Sequence, residues 1–211
     1  MYLPAHFKTD DLDRLDELAA HDPFATLVTI VDGEPFATHL PVMLERAHDR
    51  VMLRGHWARP NAQWKSAVGQ RALCIIHGPH AYVSPNYYPD PDRRVPTWNY
   101  ATAHLRGPLR LIEEPQELLA LGSALSDHFE SGSSKPWSLA AANRSLDSMA
   151  AGIVGFEMSI EQIDLKFKMN QNHPIENAEG VARAFQASDD RDAQLLGRWM
   201  QADVTRRRGT G

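Results

Sequence analysis

Between Phe24 and Leu44 apolar and polar residues alternate at the two-residue period of a strand, whereas towards both ends of the chain they recur at helical spacing. Leu12, Leu15, Leu18 and Ala19 predict an amphipathic helix over residues 9–20. Thr9, Asp10 and Asp11 supply its cap and first-turn charge, and Pro23 ends it. Phe24 to Val31 predicts a strand, and Asp32-Gly33 a hairpin turn into a second strand from Phe36 to Leu44. There Phe36, Thr38, Leu40, Val42 and Leu44 share one face, with His39 and Met43 on the other. Glu45 to Arg50 is a polar turn and Val51 to His56 a short third strand. Three antiparallel strands within about 35 residues point to a meander or barrel.

Pro60 and Asn61 then mark a turn into a short helix. Ala72 to His77 predicts a strand that Gly78-Pro79 breaks and Ala81 to Ser84 resumes. Pro85 to Pro96, with four prolines, is a loop long enough to point to function. Trp98 to Ile112 predicts a long strand kinked at Gly107-Pro108. A second helix over Pro115 to Phe129 is followed by a flexible link over 131–136 and a weakly helical stretch from Leu139 to Met149. Ile153 to Met169 returns to strand character, broken near Glu161-Gln162, and helices over 174–185 and 190–205 close the chain. No internal repeat interrupts this order, so one β-rich domain with helical decorations is expected.

Composition narrows the class. Across 211 residues, 43% are hydrophobic and 23% charged, which argues against a disordered or collagen-like chain. A single cysteine, Cys74, excludes an intrachain disulfide and a cysteine-based zinc site and is expected to be buried and inert. The formal net charge of −5 supplies no global field for nucleic acid, and Arg206-Arg207-Arg208 is expected to be a frayed, solvated end. Neither a signal peptide nor a membrane-length apolar run is seen, so a soluble cytoplasmic protein is expected. Dinucleotide, phosphate-loop, nucleophile-elbow and zinc-protease motifs are all missing.

Four clusters remain as candidate chemistry. Gly55-His56-Trp57-Ala58-Arg59-Pro60-Asn61, with Lys65 beyond it, joins a strand end to a helix start. Free backbone N–H groups, a helix dipole, the Arg59 fork and the Lys65 charge could together hold one phosphate. The plainer alternative is that Arg59 and Lys65 are solvated and Asn61 caps the helix. In Phe36-Ala37-Thr38-His39-Leu40-Pro41, Pro41 implies an edge or bulge with free backbone groups, which suits a flat heteroaromatic ligand. His39 could equally be an outward, satisfied histidine. Val95-Pro96-Thr97-Trp98-Asn99-Tyr100, preceded by Tyr82, Tyr87 and Tyr88, offers aromatic walls or ordinary packing. Lys166-Phe167-Lys168-Met169-Asn170-Gln171-Asn172 ends a strand in a polar corner that could be only a good turn.

These clusters, in order and together with Met1-Tyr2-Leu3-Pro4, Phe7 and Tyr82-Val83-Ser84-Pro85, resemble the PaiB-type family of FMN-binding negative transcriptional regulators. That family lies in the FMN-binding split-barrel superfamily. The resemblance runs over about residues 1–175. It implies a mainly β fold with peripheral helices: a six-stranded antiparallel Greek-key split barrel over 1–175, with 176–211 a helical extension packed on the same domain. It further implies a homodimer with FMN in a cleft between subunits. By the same resemblance Arg59, Asn61 and Lys65 take the FMN phosphate with His56 beside them. Thr38, His39 and Leu40 border the ring, the partner's copies of Trp98 and Asn99 close the cleft, and Lys168, Gln171 and Asn172 lie near it. One departure stands out: Asn170 occupies the place where the family carries serine.

The expected function is that of a flavin-dependent redox sensor or regulator of this type, binding FMN and tuning its ring. The alternatives are an FMN-dependent oxidoreductase and a haem-binding or haem-degrading split barrel with His39, His56 or His173 as axial ligand. The sequence offers no nucleophile–base or acid–base pair for a dedicated catalytic step. It shows no helix-turn-helix with a basic recognition face, which leaves direct DNA contact doubtful.

Overall fold

The computed structural model describes residues 1–47, 50–141 and 150–209. Eight strands carry the fold: β1 Lys8–Thr9, β2 Phe24–Val31, β3 Glu34–Ala47, β4 Arg50–Ala58, β5 Arg71–Val83, β6 Thr97–Ile112, β7 Ile153–Ile160 and β8 Gln162–Lys168. The helices are α1 Leu12–His21, α2 Gln63–Ala67, α3 Pro115–Glu130, α4 Ile175–Gln186 and α5 Arg191–Gly209. The chain divides into two compact units. One comprises Ala19–Ile76 and His104–Ile163, the other Met1–Leu18, His77–Ala103 and Asp164–Gly211. The C-terminal helices therefore share a unit with the start of the chain, and β5 and β6 run through both.

In the first unit the expected hairpin forms. Asp32 and Gly33 adopt φ of 52° and 84°, the left-handed values a tight two-residue turn requires. β2 lies between β3 and β5, β3 continues to β4, and β4 to β7. The order β5-β2-β3-β4 is a Greek key. Because β7 also pairs with β6, the neighbour of β5, the six strands β2 to β7 close into a ring of antiparallel pairings. This is the mainly β, split-barrel class expected from the sequence.

Alternation fills the interior of this unit with Leu27, Leu53, Trp57, Ile76, Leu105, Phe156 and Met158, all essentially inaccessible to solvent. Cys74 is buried among them, and desolvation pushes its thiol pKa up to about 12, so it is held as the unreactive thiol. Leu118, Leu121 and Leu125 of α3 pack with Met43 and Ile112. α3 can sit this low because Gly155 of β7 has no side chain: a Cβ there would lie 2.6 Å from Leu121 Cδ2.

In the second unit β1 pairs with β8, and Leu15 and Leu18 of α1 are fully buried. α4 and α5 form a helical pair in which Gly197 lets the backbones approach and Gln186 Nε2 donates to Gly197 O at 3.0 Å. The guanidinium of Arg14 lies over Phe167 and Trp199, 4.6 and 4.9 Å from the ring centroids.

Three expectations change. Gly78-Pro79 does not break β5, because Gly78 fits where a Cβ would lie 2.3 Å from Leu18 Cδ2 and 2.8 Å from Ala101 O. β6 likewise runs unbroken past Gly107-Pro108. The basic tail is not a frayed end: α5 extends to Gly209, with Arg207 Nη2 donating to His173 O at 3.0 Å and Arg208 paired with Glu179 at 2.7 Å. Of the weakly helical stretch expected over Leu139–Met149, only a turn at Leu139–Ala141 is seen, and residues 142–149 lie outside the described residues.

A Cβ on Gly107 would stand 1.7 Å from Ser159 O. Gly107→Ala should therefore force β6 from β7 and lower stability by about 3 kcal/mol in urea unfolding. A midpoint within experimental error of the parent would show that this approach is not tight.

Candidate functional site

The first unit's chemistry begins where β4 ends. Trp57 turns inward and its Nε1–H donates to Gln63 Oε1 at 2.9 Å. Gln63 is completely buried, and its Nε2 donates to Leu27 O on β2 and Phe36 O on β3, at 3.1 and 3.0 Å. One side-chain amide thus ties three strands to α2, with every polar atom engaged. Asn61 Oδ1 accepts from the Gln63 N–H at 2.9 Å, and Asn61 Nδ2 donates to Thr38 Oγ1 at 2.9 Å. Asn61 thus ties Thr38 to the start of α2, with a second Nδ2 hydrogen not engaged in these two bonds. α2, with five residues, also lacks the dipole that the expected anion cradle drew on. What remains of that cradle is its cations.

Arg59 is held from both ends. Its N–H donates to Gly152 O at 2.9 Å, its Nε to Ala151 O and its Nη2 to Ile153 O, both at 2.8 Å. Two backbone carbonyls fix the guanidinium plane without neutralising its charge, and among the described residues the carboxylate paired with it is Glu113, half exposed at 3.5 Å from Nη1. The indole of Trp64, whose Nε1 donates to Arg59 O at 2.9 Å, lies 6.0 Å from Arg59 Cζ and 5.8 Å from the exposed Lys65 Nζ.

Facing this corner in sequence is the strand that bears Thr38, His39 and Leu40. β3 pairs with β2 through residues 34–41 and with β4 only from Val42 onward, so Glu34–Pro41 is paired on one side alone. The expectation of an open backbone edge at Pro41 matches this geometry. Thr38 is half-buried, and His39 is exposed with its ring near-parallel to Phe24 at 6.5 Å. Leu40 points into the core and offers a ligand only its backbone.

His56 lines an apolar cavity of about 400 Å³ with Pro41, Ile153, Leu118, Leu121 and Leu125. Its Nδ1 is buried with no hydrogen-bond partner among the described residues, and desolvation holds the imidazole below its ordinary pKa.

The second unit holds the remaining candidates. Trp98 is half exposed, with Tyr82 at 5.9 Å and His80 at 6.2 Å between ring centroids. Strand alternation turns Asn99 the other way. It is completely buried, with Nδ2 3.4 Å from Met200 Sδ, and so does not face a cleft as expected. Lys168 Nζ donates to Thr97 Oγ1 at 2.7 Å and to Trp98 O. Gln171 is spent on the strand end, accepting from Met169 N at 2.7 Å and donating to Phe167 O. Asn172 is exposed. Asn170 adopts φ of 62° and donates from Nδ2 to Tyr88 Oη at 2.9 Å. Asparagine tolerates that left-handed backbone better than most residues, which gives a physical reason for it here in place of serine.

A family model described as "Putative FMN-binding domain" matches residues 1–162. The chain belongs to this FMN-binding family. It is 30% identical over 204 residues, 95% of this chain and 97% of the relative, to the "Protease synthase and sporulation protein PAI 2" of Bacillus subtilis. This is the PaiB-type relationship expected from the motifs. Among solved structures it is similar to the FAD and haem binding protein from Mycobacterium smegmatis, at a TM-score of 0.59 and 21% identity, covering 76% of this chain and 73% of that one. The flavocytochrome Anf3 from Azotobacter vinelandii is equally similar in fold, at 0.59 and 15% identity, covering 76% and 69%. Both likenesses speak to the fold. The protein is an FMN-binding split-barrel protein, and FMN is its cofactor.

Its residues fit that group. A phosphate needs preorganised donors, which the latched Arg59 fork and Lys65 provide. A ring with alternating donors and acceptors needs an unpaired backbone edge, which β3 provides. Sequence reasoning missed Gln63. A glutamine between two tryptophans, Trp57 and Trp64, was the available signal for it.

Because His56 is held neutral in the folded state, unfolding takes up a proton below the ordinary value of 6.5. Its contribution to stability is complete above that pH and is lost as pH falls through and below it. His173, also lowered by burial and then by Arg94 and Lys168, acts in the same direction. The urea midpoint of the apo-protein should fall between pH 7 and 5, and His56→Gln should flatten that fall. An unaltered slope in the variant would remove His56 from the account.

Proposed function

We propose that the protein holds FMN with its phosphate on Arg59 and Lys65 and its ring along Thr38, His39 and Leu40 beside His56, and that it works as a homodimeric, cytoplasmic flavin redox sensor in gene regulation. The observation that carries this reading is the Arg59 fork, locked by carbonyls of 151–153 yet left with N–H donors to offer. Bound FMN supplies the reversible electron chemistry of its ring. The chain's own contribution is to bind and orient. Arg59 and Lys65 set the phosphate end, the β3 edge sets the ring's position, and neutral His56 presents a nitrogen that gains or gives a proton only in acid.

The homodimer is supported by the same hairpin. Phe24 and Ile30 are exposed on one face of β2, in the strand pair that carries the open edge, and Phe36 is exposed on the other face. A second copy covering it would bring up an aromatic wall such as the exposed Trp98. Regulation without direct DNA contact follows from the net charge of −5 and from a basic tail whose arginines are engaged with Glu179, Asp203 and the His173 carbonyl. Retardation of promoter DNA at low salt would contradict that part.

An oxidoreductase reading has one observation in its favour, the apolar cavity beside His56, which is of a size to admit a small substrate. Steady-state oxidation of a reduced nicotinamide by the FMN-loaded protein, faster than free FMN under the same conditions, would select it over the sensor.

Arg59→Ala should weaken FMN binding by about 10- to 100-fold in equilibrium titration, the scale of a charge-assisted contact. Glu113→Gln, which frees Nη1, should tighten it modestly. Unchanged affinity in Arg59→Ala with an unchanged fold would place the phosphate elsewhere.

A further inference from the structure

A second concavity, of about 300 Å³, lies wholly in the second unit, and its charge is unlike that of the rest of the molecule. Arg93, Arg94, Lys168 and His173 line it with Thr97 and Asn172, and no carboxylate does. In a chain with more acids than bases, four basic side chains in one hollow require a reason.

The basic groups are also held in place. Asp90 takes Arg94 bidentately, Nε to Oδ1 at 3.0 Å and Nη2 to Oδ2 at 2.9 Å, which leaves Nη1 uncommitted. The Arg94 guanidinium lies 5.6 Å from the Tyr88 ring centroid. Tyr88 is itself fixed by the Asn170 amide and stacked on His173 at 5.6 Å. Lys168 gives two hydrogens to the neutral oxygens of Thr97 and Trp98 and, among the described residues, has no acid partner. Burial first, and then the charges of Arg94 and Lys168, hold the His173 imidazole below its ordinary pKa. With Lys168 unpaired by an acid among the described residues and Arg93 exposed at its rim, the hollow carries net positive charge, and a concave wall of that sign concentrates counter-ions.

We propose that this pocket is a phosphate-binding site, separate from the FMN phosphate site at Arg59, that takes the phosphate group of a small phosphorylated molecule. Lys168 supplies the point charge, and the remaining N–H groups of Arg94 and Arg93 the planar donors. Asn172 and His173 flank the anion. This assignment moves Lys168 and Asn172 away from the flavin and rests on the reading that places the FMN phosphate at Arg59.

The test is titration of the full-length protein with inorganic phosphate and with pyrophosphate, followed by calorimetry and by the ring-proton shifts of His173, assigned with His173→Gln. The titration is run on apo and FMN-saturated protein. We expect saturable binding in both states and a rise in the His173 pKa when phosphate is bound. Arg93→Gln/Arg94→Gln should weaken phosphate at least tenfold while leaving FMN affinity within twofold. Lys168→Met should also weaken phosphate, and Lys168→Arg, which keeps the charge, should largely restore it. Three results would each overturn the proposal: no saturation, equal binding by the arginine double variant, or loss of phosphate binding once FMN is bound. The last would give the pocket to the flavin itself.

Discussion

β3 changes partners at Pro41. Up to that residue it is bonded to β2, and from Val42 it is bonded to β4. A strand shared in this way lets the sheet turn the corner that closes a ring of six strands, and it leaves Glu34–Pro41 with one unpaired edge. The corner is tight: a Cβ on Gly55, the partner of Val42, would lie 2.7 Å from Phe156 Cζ and 3.0 Å from Pro41 O. It is also clamped, because the buried Gln63 amide binds carbonyls of β2 and β3 while accepting from Trp57 of β4. The open edge is therefore a rigid feature of the barrel.

The same corner sets the electrostatics. Arg59 follows β4 and is caught by two backbone carbonyls, with the half-exposed Glu113 only at 3.5 Å from Nη1, so its charge is oriented and only loosely paired. Carbonyl oxygens suit this task because they carry partial charge: they fix the fork without cancelling the field that attracts an anion. His56, three residues nearer the strand centre, is treated in the opposite way. Its Nδ1 is desolvated with no partner among the described residues, which favours the neutral ring three places before the Arg59 cation.

Much of this was legible because local signals and tertiary needs agreed. Asp32-Gly33 turned where a left-handed pair was required, the break at Glu161 separated β7 from β8, and Pro41 marked the free edge. The misreadings share one cause, a side chain or glycine whose role lies across the fold. Gly78-Pro79 looked like a breaker, yet the missing Cβ answers Leu18 and Ala101. Asn99 read as an outward polar residue beside Trp98, and alternation buried it on Met200. Arg93 and Arg94, inside a proline-rich loop, became half of a basic hollow only once β8 brought Lys168 to it.

The central claim is that the phosphate of FMN is read by Arg59. Comparing FMN with riboflavin isolates that one group, since the two share ring and ribityl chain. The account predicts that the parent protein prefers FMN by at least tenfold and that this preference collapses towards unity in Arg59→Ala, with riboflavin affinity little changed. A preference for FMN that survives intact in the variant would contradict it.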